Sequence, residues 1–233
     1  MLVEGVRATG EALNAGVQAE FAVVSPRLGS TSDGRTLRDR LAGLDVHEVD
    51  DEELALLSDT EEPQGVLLIC AEPRIDLAHL RNCEKILVLD AVQDPGNVGT
   101  LLRSAVAFGF DGAICLDGTA DPWSAKVVRA SAGAVFRLFI TGSAIHAALD
   151  WLREHPVRLL VASSDGISLA RLRPEGDRPL ALVLGNEGAG VRPELRAAAD
   201  AMVAVAMHEA VESLNVGVAG SILMHELSRR EEP

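Results

Sequence analysis

The chain has 233 residues, 48% of them apolar and 24% charged, a balance that excludes a disordered polyelectrolyte and allows one large or two small globular domains. Apolar runs such as Ala181–Gly185 and Met202–Met207 fall far short of the roughly 18 residues of a membrane span, and no basic, apolar, cleavable leader is recognisable, so the expectation is a soluble cytoplasmic protein. A net charge of −14 argues against broad, nonspecific nucleic-acid binding through a basic face but leaves a local basic surface open.

In chain order, the patterns predict helices over 3–14, 36–41 and 50–58 and strands over 21–25, 46–49 and 66–70, a small α/β unit. Residues 72–84 read as a linker, with the first domain ending near Asp76. From there the patterns alternate: strand 86–90, helix 97–108, strand 113–116, helix 123–131, strand 135–140, helix 143–154, strand 158–163, strand 180–184, helix 192–199, strand 202–206, and a helix from Ser213 to about Arg230. Such alternation predicts a mostly parallel sheet with helices on both faces. Acid is concentrated early: residues 1–84 hold 7 basic and 17 acidic side chains, a net −10, against 14 and 18, a net −4, over 85–233. Cys70, Cys83 and Cys115 are odd in number and widely spaced, which favours buried thiols over a disulfide framework or a zinc site.

Three stretches of the second domain contain candidate chemistry. In Asp94-Pro95-Gly96-Asn97 a strand hands over to a helix, with Asn97 a good N-cap. On that helix Asn97, Leu101 and Ser104 share a stripe, and Arg103 lies about 600° round from Asn97, two turns on, where both can line one cleft. A capped helix with a solvated arginine is the alternative. Leu180–Val191 is a buried strand ending in Gly185, Gly188 and Gly190, interleaved with Asn186 and Glu187. Such glycines let backbone amides approach a ligand, or make an ordinary turn. The third stretch runs from Ala201 through a polar loop to Ser213-Leu214-Asn215 at the head of a long helix. Ser213 is its candidate N-cap, with a core stripe of Val216, Ala219, Ile222, Leu223 and Leu227. His208 and His225 are too far apart to read as a metal-ligand pair.

In this order and separation the three stretches resemble the SpoU (TrmH-like) branch of the SPOUT superfamily of RNA 2′-O-ribose methyltransferases. Asp94-Pro95-x-Asn97-x-Gly99-x3-Arg103 is similar to the first motif of that family, Leu184-Gly185-x-Glu187-Gly188 to the second, and Ser213-Leu214-Asn215-Val216 to the third. Asp121-Pro122, Lys126, Arg129, Ser131 and Gly133 match between them. The likeness covers roughly residues 85–230. Met1 to about Asp76 is similar to the ribosomal-protein-like substrate-binding domain of many members, which there has a preceding strand and helix. Val205-Ala206-Met207 stands where the family usually reads Ile-Pro-Met, and Gly217 where Ser commonly follows Asn-Val. Glu209 and Glu212 fall in the loop beside the expected cofactor pocket.

The resemblance implies an α/β parallel-sheet domain with a C-terminal trefoil knot, S-adenosylmethionine as cofactor, no metal, and RNA as partner, rRNA before tRNA. It also implies a homodimer packed through the knot region and last helix, for which Leu101, Val106 and Val218 are apolar candidates. Leu184, Gly185, Asn186, Gly188, Val205, Met207, Ser213 and Leu214 would hold the cofactor, largely through backbone groups. Glu187 and Asn215 would order the loops, Asn97 and Ser213 would orient Arg103 or the ribose, and Lys126 and Arg129 would meet RNA. Since a free guanidinium keeps its proton to above about pH 12, Arg103 would bind the phosphate beside the target ribose and only in that complex help remove the hydroxyl proton. A nucleotide-binding small-molecule enzyme, a non-catalytic RNA-binding relative and a tRNA-directed enzyme are the competing readings.

Overall fold

The computed structural model describes residues 1–171, 178–208 and 213–229. In the first domain, strands β1 (Leu2–Glu4), β2 (Ala19–Val24), β3 (Val46–Glu48) and β4 (Val66–Cys70) form a mixed sheet in the order β1-β4-β2-β3. Helices α1 (Val6–Asn14), α2 (Ser32–Leu41) and α3 (Asp51–Leu57) connect them. The helix expected from Val3 begins instead as a strand. Val3 pairs with Leu68 and is fully buried, and Gly5 breaks the strand at a φ of 93°. Sheet pairing there overrides a helical apolar period. At α2 the helix starts earlier than expected, because the Thr31 side chain accepts the Gly34 N–H and caps it.

The second domain is a six-stranded sheet, order β10-β8-β9-β5-β6-β7, with every neighbouring pair parallel. Its strands are β5 (Lys85–Asp90), β6 (Gly112–Leu116), β7 (Phe139–Ser143), β8 (Arg158–Ser168), β9 (Leu180–Gly185) and β10 (Ala201–Ala204). Between them lie α4 (Pro95–Ala107), α5 (Ala125–Ala130), α6 (Ile145–Glu154), α7 (Pro193–Ala198) and α8 (Val216–Ser228). Alternation along the central strands divides the core. Leu87, Leu89, Leu182 and Leu184 face α4 and α8, while Ile86, Val88, Ala181 and Val183 face α6 and α7. The strand expected over 135–140 is a 3-10 turn at Ala134–Arg137, entered through left-handed Gly133, followed by β7. An apolar run alone does not separate the two. The expected linker is shorter than its composition implies, because a 3-10 turn at Leu77–Asn82 buries Leu80 beside Ile86 and Trp151.

Helices α4 and α8 lie side by side in the same direction. Gly217 abuts Asn97 and Thr100, and Gly220 abuts Leu101. Ser221 Oγ lies 2.7 Å from Ser104 Oγ, and His225 stands edge-on to Phe108 at 5.3 Å. Leu101, expected on a dimer face, is thus fully buried inside its own domain, Val106 is half-buried, and Val218 is exposed. The expected core stripe of α8 is also rotated. Leu223 and Leu227 are buried with Gly217, Gly220 and Met224, whereas Val216, Ala219 and Ile222 are half-buried.

The two domains are fastened by charge. Glu4, 3% exposed, accepts a hydrogen bond from Arg129 Nη1 at 3.0 Å and others from the hydroxyls of Ser58 and Thr60. Arg129, expected to meet RNA, is therefore committed to a buried carboxylate. Glu11 and Arg137 form a second such pair at 2.7 Å. The three cysteines are buried and free, and burial pushes Cys70 up to about 11 and Cys83 and Cys115 to about 12, which makes them inert thiols. No helix among the described residues is long and apolar enough to cross a membrane.

A Cβ on Gly220 would sit 2.4 Å from both Leu101 Cδ2 and Leu184 Cδ1. Helix propensity favours Ala over Gly by about 1 kcal/mol, whereas overpacking a filled core costs about 1–3 kcal/mol. Urea unfolding of Gly220→Ala is expected to show a net loss of up to roughly 2 kcal/mol, and a stabilised variant would show that the helices can part.

Candidate active site

The ends of β5, β9 and β10 and the head of α8 meet at the carboxyl edge of the parallel sheet, where open α/β sheets place ligands. At α4 the cap is Asp94, not Asn97. Asp94 Oδ1 accepts the Asn97 N–H at 2.8 Å, and Pro95 supplies a first helical position that needs no donor. The Asn97 side chain is thereby free for other work. Its Nδ2 donates to Glu187 Oε1 at 3.0 Å, and its Oδ1 accepts from Asn215 Nδ2 at 3.0 Å. Asn215, not Ser213, caps α8, its Oδ1 accepting the Val218 N–H at 3.2 Å. Three side chains from three distant stretches therefore form one chain of hydrogen bonds.

Glu187 is held below the usual glutamate range. Burial pushes it upward, but the Asn97 amide and the backbone N–H groups of Glu187, Gln93 and Asp94 together outweigh that effect. Its own loop is closed by Asn186, whose backbone exchanges two hydrogen bonds with Gly190, at 3.1 and 3.0 Å. Asn186 Oδ1 accepts from Gly188 N and Ala189 N, both at 2.9 Å, and its Nδ2 reaches Ala91 O at 3.0 Å. The Asn186 side chain therefore shapes the loop. Gly185 is required by close approach, since a Cβ there would lie 2.4 Å from the Gly190 carbonyl carbon and Val191 N. Gly217 also has a local reason. A Cβ there would stand 3.0 Å from Asn215 Oδ1 and 3.4 Å from Asn97 Oδ1, pressing on the hydrogen-bond chain.

These loops enclose a cleft of about 620 Å³. Leu184, Gly185, Asn186, Gly188, Val205, Met207, Ser213 and Leu214, all expected around a cofactor, line it together with Glu187 and Asn215. Met207 and Leu214 are 37% and 36% exposed, so the cleft presents uncovered apolar walls. Among the described residues one arginine lines it, Arg196, which is tied to Ser163 Oγ at 2.8 Å and to Asp165 at 3.2 Å. Among the described residues no cluster of histidine, cysteine and carboxylate side chains could hold a metal ion.

Arg103 stands apart. It lies on the exposed side of α4, outside the cleft of its own chain, and makes no hydrogen bond or ion pair with any described residue. Lys126 is exposed in the first turn of α5. Glu209, Glu212 and Arg230 lie outside the described residues. Sequence reasoning missed the pair of buried Asp90 and half-buried Arg192, in which Asp90 Oδ2 accepts the Arg192 N–H at 2.7 Å and Oδ1 its Nε. That pair ties the loop after β9 to the end of β5. Its signal was an aspartate closing the otherwise apolar run of β5. Ala91, next in the chain, has a left-handed φ of 56° and offers Asn186 its carbonyl.

Fold and site define a two-domain α/β protein with a loop-built, nucleotide-sized cleft at the edge of a parallel sheet. Residues 84–225 match the model of the SpoU rRNA Methylase family, and residues 1–68 match the MRM3-like substrate binding domain. The chain belongs to the SpoU rRNA methylase family. It is 33% identical to the 23S rRNA (guanosine(2553)-2'-O)-methyltransferase RlmP of Bacillus subtilis, over 97% of this chain and 87% of that protein. The SpoU methyltransferase AviRb of Streptomyces viridochromogenes, solved in complex with AdoMet, superposes with a TM-score of 0.86 at 25% identity, covering 99% of this chain and 89% of that one. An AdoMet-bound rRNA methyltransferase of Sinorhizobium meliloti gives a TM-score of 0.85 at 28% identity, covering 100% and 87%.

The low folded-state value of Glu187 carries a sign. Its contribution to stability is fully present above the ordinary glutamate value of 4.5 and is lost as pH falls below that through the depressed value. Unfolding of Glu187→Gln measured against the parent at pH 6 and pH 3.5 is expected to show a deficit at pH 6 that shrinks at pH 3.5. An equal deficit at both would mean that the carboxylate charge plays no part.

Proposed function

We propose that the protein is a ribose 2′-O-methyltransferase that uses S-adenosylmethionine and acts on rRNA. The observation that carries this reading is the hydrogen-bonded chain of Glu187, Asn97 and Asn215, which joins the three family motifs around one cleft. The substrate assignment draws on the RlmP likeness, which extends over nearly the whole of both chains. The matched MRM3-like domain supports RNA as the partner.

The residues present fit the cofactor. Exposed apolar Met207 and Leu214, with Leu184 and Val205, suit the faces of an adenosine. The turn from Gly185 to Gly190 brings backbone close to the cleft where a side chain would intrude. Leu184, Gly185, Gly188, Val205, Met207, Ser213 and Leu214 would hold the group, with Asn186 acting through the loop it shapes. When bound, S-adenosylmethionine supplies a methyl group made electrophilic by the adjoining sulfonium. No metal ion is needed.

The protein's own task is to present a deprotonating ribose in line with that methyl group. Arg103, exposed and unpaired among the described residues, would grip the phosphate beside the ribose through its planar fork. In that complex the guanidinium stays protonated, and its remaining N–H groups would stabilise the negative charge developing on the 2′-oxygen, which helps the hydroxyl proton leave to solvent. Ser213 would orient the ribose, Asn97, Glu187 and Asn215 hold the loops in register, and positioning accounts for much of the rate. Because Arg103 is exposed and does not line the cleft of its own chain, we assign it to the cleft of a second copy, so that the active form is a homodimer. Val218, 48% exposed on α8, would lie in that interface, as would half-buried Val106 on α4. We also read the C-terminal segment as a trefoil knot. After β10 joins β8 at the sheet edge, α8 returns across β9 to pack on α4. The cytoplasm, where rRNA is met, is the proposed location.

A 2′-O-methyl group removes the nucleophile that cleaves the adjoining phosphodiester in alkali, so a methylated site leaves a gap in an alkaline ladder. The parent protein is expected to create one gap in rRNA and none in total tRNA, and to scatter light as twice the chain mass. Arg103→Ala is expected to abolish the gap with S-adenosylmethionine affinity nearly unchanged, and Arg103→Lys to restore little. Methylation by Arg103→Ala at the parent rate would make Arg103 an ordinary surface residue.

A further inference from the structure

Basic side chains are scarce in residues 1–84, with 7 against 17 acids, so where they gather is informative. Arg7 on α1, Arg27 in the turn after β2 and Arg40 on α2 line a single groove of about 780 Å³. All three are exposed. The Arg7 and Arg27 side chains make no hydrogen bond or ion pair with a described residue, although the Arg27 charge is felt by Asp51. Arg40 is steadied by donating Nη2 to Asn14 Oδ1 at 2.9 Å, which leaves the rest of its fork open. Three carboxylates line the same groove. Glu11 is neutralised by Arg137 at 2.7 Å, so Asp33 and Glu62 are the acids that remain.

We propose that this groove binds the phosphodiester backbone of the substrate RNA. The proposal rests on the methyltransferase reading above and deepens it by locating the grip of the first domain. Three guanidinium forks around one groove match phosphate oxygens, which such forks bind in pairs. The acid elsewhere on the domain repels RNA, so the polyanion is directed to this groove. Phosphate contacts position a nucleic acid without reading its sequence. The groove is well placed to position it, because Glu11 lines it and is at the same time ion-paired to Arg137 of the catalytic domain. RNA held there lies at a fixed reach from the cleft, with base selection left to contacts elsewhere.

The test compares the full chain with the triple variant Arg7→Ala, Arg27→Ala, Arg40→Ala and with a control triple, Arg38→Ala, Arg81→Ala, Arg153→Ala. The control removes the same charge from exposed sites outside the groove. Filter binding of protein-free 23S rRNA is expected to weaken at least tenfold in the groove variant and less than threefold in the control. The slope of log affinity against log salt should fall by about 2, at roughly 0.7 per lost single-strand phosphate contact. S-adenosylmethionine affinity should not move. If the groove triple does not fold, Arg27→Glu alone should weaken binding at least fivefold. Equal weakening by the two triples, or parent-like binding by the groove variant while the parent methylates rRNA, overturns this proposal alone. A parent protein that binds no RNA overturns it together with the methyltransferase reading.

Discussion

Everything at the cleft depends on the hydrogen-bond chain from Glu187 through Asn97 to Asn215. Each member comes from a different stretch. Asp94 caps α4 so that the Asn97 side chain is free, and backbone N–H groups of Gln93 and Asp94 join Asn97 in holding Glu187 ionised. Asn215 serves twice, its Oδ1 capping α8 and its Nδ2 donating to Asn97. Since α8 can reach α4 only because Gly217 and Gly220 carry no side chain, the polar chain and the close helix contact are one device. Two neutral amides in succession, ending on a single carboxylate, give direction to the chain without burying a lone charge.

Charge elsewhere follows a division of labour that reconciles an acidic protein with an anionic substrate. Arg129, Arg137, Arg192 and Arg196 are each paired with a carboxylate and hold domains or loops together. The buried ends, Glu4 and Asp90, show where this matters most, because a buried carboxylate without its partner is costly. On the proposed reading, RNA is met by exposed arginines, Arg103 on α4 and those around the groove of the first domain. Net charge is therefore a poor guide to partners here, and the unpaired guanidinium groups are a better one.

The motif residues were legible in the sequence because their types mark where a strand ends and a helix begins: an Asp-Pro turn, a glycine-interrupted loop, an Asn at a helix head. The alternating strands of the second domain were legible because β5 and β9 are buried on both faces and read as unbroken apolar runs. Caps were misplaced by two or three residues, since Asp94 and Asn97, or Ser213 and Asn215, are equally good capping types and only tertiary hydrogen bonds choose between them. Arg129 looked like a surface cation because its partner Glu4 is 125 residues away. Val3 looked helical because its strand partner, Leu68, is equally remote from any local pattern. Long-range pairing is what local periodicity does not encode.

Asn97 orders the loops of the cleft from outside it, through hydrogen bonds to Glu187 and Asn215. It does not line the cleft, so calorimetric titration of S-adenosylmethionine into the parent and into Asn97→Ala, without added metal, isolates the effect. One site per chain is expected in the parent and at least tenfold weaker binding in the variant, with the fold retained. Equal affinity in the two proteins, or no heat from the parent at protein well above micromolar, would contradict it.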